Sequence, residues 1–321
     1  MIATKSRRQS QVTDTILMVR PTKFRMNEET AVNNYFQENQ AGDEKDINDR
    51  AKKEFDTFAK ILKDHGINVL IVEDSNSSDT PDSIFPNNWI SFHEDGTVVL
   101  YPMFAENRRK ERQLDIWKVL NLSGFDSTKV KDYSNSEQFG QFLEGTGSMV
   151  LDREKRLAYC ALSDKAHPDL LEKFCFDMGY TPISFSAFQD VGGQRKLIYH
   201  TNVMICIANR FVIICSECID DDLERKNVIE HLKQSSKHII HISEKQMSNF
   251  AGNMLQVRNN QGYEYLIMSS AAANSLLPHQ IINIQKYCDI VHTDLSTIEI
   301  CGGGSARCMM AEVFLPKRSG L

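Results

Sequence analysis

Short apolar runs rich in β-branched and aromatic residues recur along the whole chain, separated by longer stretches with helical amphipathic spacing. The runs at 15–19, 67–72, 89–92, 97–101, 148–151 and 156–160 read as strands, as do those at 203–208, 211–215, 237–242, 253–257, 265–269 and 289–293. Each is bounded by Gly, Asn, Asp or Pro, the residues that end strands. Helices are expected near 46–65, 104–120, 165–179, 220–235 and 271–287. In the first of these, Phe55, Phe58, Ile61 and Leu62 fall on one helical face and Gly66 follows as a stop signal. HEDG at 93–96 and NNQG at 259–262 each join two apolar runs and read as hairpin turns. The rhythm is two or three strands per helix, repeated about five times. A doubly wound sheet would show one strand per helix, so that fold is excluded. The softest stretch is 73–83, and no Pro/Ser-rich linker divides the chain, so a single α/β domain over 1–321 is expected.

Composition narrows the partners. Of 321 residues, 41% are hydrophobic and 25% charged, an ordinary globular balance with room for a full core. The formal net charge of -6 gives no electrostatic reason to bind nucleic acid or an anionic membrane. The one dense basic run, RRKER at 108–112, reads as the solvated face of a helix. The amino-terminal segment MIATKSRRQSQ lacks the apolar core of a secretory signal, and no stretch approaches the ~20 apolar residues of a membrane span. A soluble, cytoplasmic protein is expected. Eight cysteines are scattered through apolar runs, as buried reduced thiols are. Cys215 and Cys218 have CxxC spacing without a second pair, so no structural metal site is expected.

The chemistry concentrates in four segments. CGGGSARCMM at 301–310 places Cys308 after three consecutive glycines and ahead of an apolar stretch. Glycine allows close approach of a ligand to the backbone, and an accessible thiol on such a loop suits a nucleophile if a base lies nearby. FLEGTGSMVLD at 142–152 puts Glu144 before two glycines, LIYHTNVMIC at 197–206 puts His200 and Asn202 before a strand, and DSIFPNNWISF at 82–92 does the same with Asn87 and Asn88. All share one design: polar groups at the start of an apolar strand, where several strands can present them to one cleft.

With these motifs in order, from TDTILMVRP at 13–21 through FPNNW, YPMFAENRRKER, LEGTGS, YHTNV and FAGNMLQV to GGGSARCMM, nearly the whole chain resembles the guanidino-group-modifying, or pentein, superfamily. That superfamily includes arginine deiminase, dimethylarginine dimethylaminohydrolase, succinylarginine dihydrolase and the amidinotransferases; the resemblance is strongest to amidinotransferase-family proteins of a citrulline hydrolase branch. It implies an α/β-propeller of five ββαβ-type units with pseudo-fivefold symmetry. It also implies Cys308 as nucleophile, His200 as general acid/base, and Glu144 as the acid that orients the histidine or contacts substrate nitrogens. No metal or organic cofactor is implied, and the expected partner is a small amino-acid substrate. The oligomeric state is left open.

The chain departs from the guanidine pattern where arginine deiminases carry two aspartates that grip a guanidinium. Asn88 (or Asn87) and Asn202 stand there instead. Amides suit a neutral ureido group, donating to its oxygen and accepting from its nitrogens. L-Citrulline is the expected substrate, cleaved to ornithine, carbon dioxide and ammonia through an S-carbamoyl intermediate. Arg20, Arg108, Arg109 and Arg307 are candidates for its carboxylate, and Asp82 for its α-amino group; Asn253, at another strand entrance, reads equally as a turn residue or a site residue. The rivals are an arginine-directed hydrolase or deiminase, an amidinotransferase, a binding module without catalysis, and a cysteine peptidase.

Overall fold

All twelve apolar runs lie in or overlap strands of the computed structural model, which describes residues 10–38, 43–75 and 78–318. The reading of the amino-terminal segment rests mostly on residues outside that range, as do positions 76–77 of the soft stretch. Fifteen of the strands form five three-stranded sheets, and the other two, Phe188–Val191 and Gln194–Leu197, form a small hairpin. Each larger sheet has the same plan: its central strand pairs antiparallel on one side and parallel on the other. A parallel pair needs a crossover. Helices fill it: Glu44–Asp64, Ile116–Leu122, Pro168–Met178, Asp222–Gln234, and the pair Ser270–Ser275 and Pro278–Gln285. The short strand Ala311–Glu312 near the carboxyl end lies antiparallel to Thr15–Arg20 and completes the first sheet. The fold is thus mixed α/β.

Two predicted helices are broken, each for a local reason. The stretch 104–120 forms Glu106–Arg109, a 3-10 turn Lys110–Gln113, and Ile116–Leu122, which Asp115 restarts by accepting from the Lys118 N–H. The stretch 271–287 divides at Pro278, whose ring restrains the residue before it from helical geometry. The RRKER run is not a solvated face: Arg108 and Glu111 are buried against each other. All eight cysteines are buried and outside any disulfide, and no helix among the described residues is long and apolar enough to cross a membrane.

The plan positions the site. Each sheet's antiparallel outer strand is preceded by a tight turn: Pro86–Asn88, Gly145–Ser148, Thr201–Val203, and the turns closing at Asn253 and Cys308. The apolar strand that follows anchors each turn, each large buried side chain contributing about 1.5–3 kcal/mol. Met309 and Met310, directly behind Cys308, pack with Ile16, Met18, Phe55 and Phe58. Polar side chains from five separate sheets are thereby held on well-packed supports.

Candidate active site

Cys308, His200, Asn88, Arg108 and Asp82 line one narrow cavity, together with Thr30, Asn34, Phe85, Lys165, Tyr199 and Gly302 to Gly304. Its free space is about 10 Å³, room for roughly one water. The segment carrying Thr30 and Asn34 closes over it, tied to the glycine loop by Asn34 Nδ2 donating to Gly302 O (3.3 Å) and Gln37 Nε2 to Cys301 O (3.1 Å). From below, the Tyr199 hydroxyl donates to Gly303 O at 2.5 Å. These bonds hold the segment, the glycine loop and Tyr199 together around the cavity.

His200 Nε2 lies 2.8 Å from Glu144 Oε2, with both side chains buried. Burial raises the Glu144 carboxyl, but the charges of Lys165 and Arg108 and the bond to His200 outweigh it and bring its pKa down to about 2. Burial holds the imidazole below its ordinary value, at about 4, although Glu144 works against this. At neutral pH the pair is thus carboxylate and neutral imidazole. A carboxylate only accepts, so Nε2 carries the proton and Nδ1 keeps its lone pair. The Phe104 N–H donates to the other Glu144 oxygen at 3.0 Å and fixes the carboxylate plane. Gly147 explains how close these groups sit: a Cβ there would lie 2.4 Å from Asn88 Nδ2 and 2.9 Å from His200 Nδ1.

Around the sulfur stand two amides. Asn202 Nδ2 lies 3.4 Å and Asn253 Nδ2 3.2 Å from Cys308 Sγ. Asn202 Oδ1 is buried and has no hydrogen-bond partner among the described residues. Asn88 is held differently. Arg108 Nη1 donates to its Oδ1 at 2.8 Å, while Arg108 Nε and Nη2 grip Glu111 at 2.8 and 3.1 Å. Burial and the neighbouring carboxylates push the Glu111 acid up to about 7, with Arg108 opposing. Asn87 supplies Oδ1 to Asn88 Nδ2 (3.2 Å) rather than lining the cavity itself. Asp82 accepts from Asn27 and Thr30 through Oδ2, and its Oδ1 is buried without a hydrogen-bond partner among the described residues. Burial raises its carboxyl, with Arg108 opposing.

Three of the four arginines proposed for a substrate carboxylate are not at the cavity. Arg20 is on the surface, bidentate to Asp56. Arg109 holds the carbonyls of Met103 and Phe104, and Arg307 holds Met310 O and Glu312. These partners satisfy them. Arg108 does line the cavity, but Asn88, Glu111 and two carbonyls occupy its guanidinium. Sequence reasoning missed Lys165, a buried cation over the Tyr199 ring (5.0 Å), which lines both the cavity and an adjoining 300 Å³ pocket. Burial lowers its ammonium, with Glu144 opposing. Its sequence signal was faint: one lysine in SDKAHP, just past the strand Leu157–Ala161.

Residues 20–315 match the family described as N,N dimethylarginine dimethylhydrolase, eukaryotic. No curated protein sequence matches the chain. Among solved structures, apo ArgZ, an arginine dihydrolase from the ornithine-ammonia cycle in cyanobacteria, superposes with a TM-score of 0.72 at 18% identity, over 95% of this chain and 41% of that one. AgrE in a ternary complex with ornithine and NAD+ gives 0.72 at 20% identity, over 95% and 40%. A dimethylarginine dimethylaminohydrolase adduct with S-methyl-L-thiocitrulline gives 0.59 at 11% identity, over 94% and 99%. The chain thus spans about two fifths of the ArgZ and AgrE chains. At these identities the likeness is one of fold.

Proposed function

We infer the activity from one premise: the chain belongs to the N,N dimethylarginine dimethylhydrolase family, within the pentein superfamily of guanidino-group-modifying enzymes. On that premise it is a cysteine hydrolase of a C–N bond in a guanidino- or ureido-type group. The five like sheets are then five ββαβ blades of a pseudo-fivefold propeller around the cavity. The substrate we assign is L-citrulline, and the eight reduced cysteines suit a cytoplasmic setting.

One observation carries the substrate. Arginine only donates hydrogen bonds, so the Asn88 atom facing Arg108 is the carbonyl oxygen; of the two N–H bonds on the amide nitrogen one goes to Asn87 Oδ1, and the other is the donor left for the cavity side. Such a donor matches a ureido oxygen, and matches it better once thiolate attack turns that oxygen into an oxyanion. A guanidinium in the same place would meet N–H groups with N–H groups, beside the buried cation Arg108.

In the reaction, the Cys308 thiol passes its proton to His200 Nδ1 as sulfur bonds to the ureido carbon. The tetrahedral adduct collapses, and the imidazolium protonates the departing δ-nitrogen, releasing ornithine. His200, neutral again, takes a proton from water as its oxygen attacks the S-carbamoyl carbon. The thiol re-forms and carbamate leaves, decomposing to carbon dioxide and ammonia. Glu144 holds Nε2 and stabilises the transient imidazolium. Lys165 is placed to take the substrate carboxylate.

A second reading has its own support: Asp82 keeps one carboxylate oxygen unpaired in the same cavity, and ArgZ is an arginine dihydrolase. The same residues would then hydrolyse a guanidino group. Incubating the purified protein separately with citrulline and arginine and identifying products decides between them. Ornithine and ammonia from citrulline support the first reading; ornithine from arginine with citrulline untouched sinks it.

A further inference from the structure

Asn253 is completely buried at the mouth of the strand Leu255–Arg258, and chemistry fixes which way its amide faces. The backbone N–H of Arg307 can only donate, and it lies 3.1 Å from Asn253 Oδ1. The amide nitrogen therefore points the other way, where it meets Asn202 O at 3.0 Å and Cys308 Sγ at 3.2 Å. Two N–H bonds serve two acceptors, so the side chain has no alternative orientation that keeps its bonds. Gly252 permits the approach: a Cβ there would fall 2.2 Å from Val203 O. The backbone of this turn is thus pressed against the turn that carries Asn202. Arg307, whose N–H pins the amide, is the immediate neighbour of Cys308, so one side chain fixes both the loop and the sulfur it carries.

We propose that Asn253 is a catalytic residue, whose Nδ2–H holds the Cys308 sulfur in place and stabilises the negative charge on it as its proton leaves for His200. The need for it rests on the citrulline reading: a guanidinium brings its own positive charge to a thiolate, whereas a ureido group brings none. The protein must then supply the stabilisation, and neutral amides do so without repelling the oxyanion that follows.

The test needs no substrate. Alkylation of Cys308 by iodoacetamide is followed by peptide mass spectrometry across pH, the thiol proton passing to buffer, for the wild type, Asn253→Ala and Asn253→Asp. The aspartate keeps the shape and the Arg307 contact but exchanges an N–H donor for a negative charge. The alkylation midpoint is expected to rise by about one pH unit in Asn253→Ala, a tenfold change in thiolate fraction, and further in Asn253→Asp. Profiles that superimpose on the wild type overturn the proposal. Should a variant not fold, NMR of the unaltered protein answers the question: the Asn253 side-chain amide protons are expected to shift with the Cys308 midpoint, and an amide that ignores that ionisation contradicts the assignment. Either result leaves the citrulline assay to stand or fall separately.

Discussion

Asn88 and Asn202 are the same residue type in corresponding turns of two sheets, yet their amides are held with opposite polarity. Arg108 takes the oxygen of Asn88 and leaves a donor, whereas Cys308 takes the nitrogen of Asn202 and leaves a buried acceptor without a partner. Together they present one donor and one acceptor, the complement of a ureido group's oxygen and N–H. The lesson is that residue type alone does not set specificity. A charged pair behind one asparagine and a sulfur beside the other decide what each amide offers.

Removing the charged support should break the comparison hardest. Arg108→Met leaves Glu111 buried without its partner and should destabilise the fold by about 3–5 kcal/mol in urea unfolding. Adding Glu111→Leu should recover most of that stability while citrulline turnover stays low, because Asn88 is no longer oriented. Full activity in a stable double variant would show that Arg108 does not act through Asn88. Next, Asn88→Asp should cost about 10²–10³ in kcat/KM for citrulline, the scale of a lost oxyanion donor, and less for arginine. Equal losses for both substrates would remove the argument from polarity.

Smaller effects sharpen the picture. Asn202→Ala should lower citrulline kcat/KM about tenfold to a hundredfold, as expected for losing a modest hydrogen bond or two. Lys165→Met should raise KM about tenfold with kcat nearly kept, the mark of a contact made equally in ground and transition states; a fall in kcat alone would place Lys165 in the chemistry instead. Last, an NMR titration should put His200 near pH 4 rather than at the ordinary 6.5, since burial disfavours the imidazolium. The sign follows: an unfolded chain accepts this proton and the folded one refuses it, so the His200 contribution to stability falls as pH drops from about 6.5 to about 4.

Much of the framework is legible in the residues. Strands such as Phe211–Ile214 are continuous apolar runs because both faces are covered, and the turns ahead of several stand out as polar groups against that background. Two of the strands that escape are polar and exposed: Lys129–Asp132 alternates lysine with its neighbours at a sheet edge, and Gln194–Leu197 is similar. The candidate residues Cys308, His200, Glu144 and the asparagines stand out in the sequence because each sits in a short motif. The site stops being legible where burial and pairing of a charged side chain decide its role. Arg108 and Glu111 read as solvated charge, although their i,i+3 spacing allows the pair they form. Arg20 and Arg109 are held by Asp56 and Glu137, distant along the chain, and Arg307 by Glu312 in the strand that follows its own turn. Lys165 gives almost no signal, because its role depends on where a loop between sheets returns.

The central claim is that a sulfur nucleophile acts on an uncharged tip, and trapping the covalent intermediate tests it most directly. Equimolar citrulline and arginine are offered together, turnover is quenched in acid, and the peptide containing Cys308 is weighed. A carbamoyl group on Cys308, absent from Cys308→Ala, is the predicted result. An amidino group on that sulfur, with no carbamoyl adduct from citrulline alone, would contradict the account.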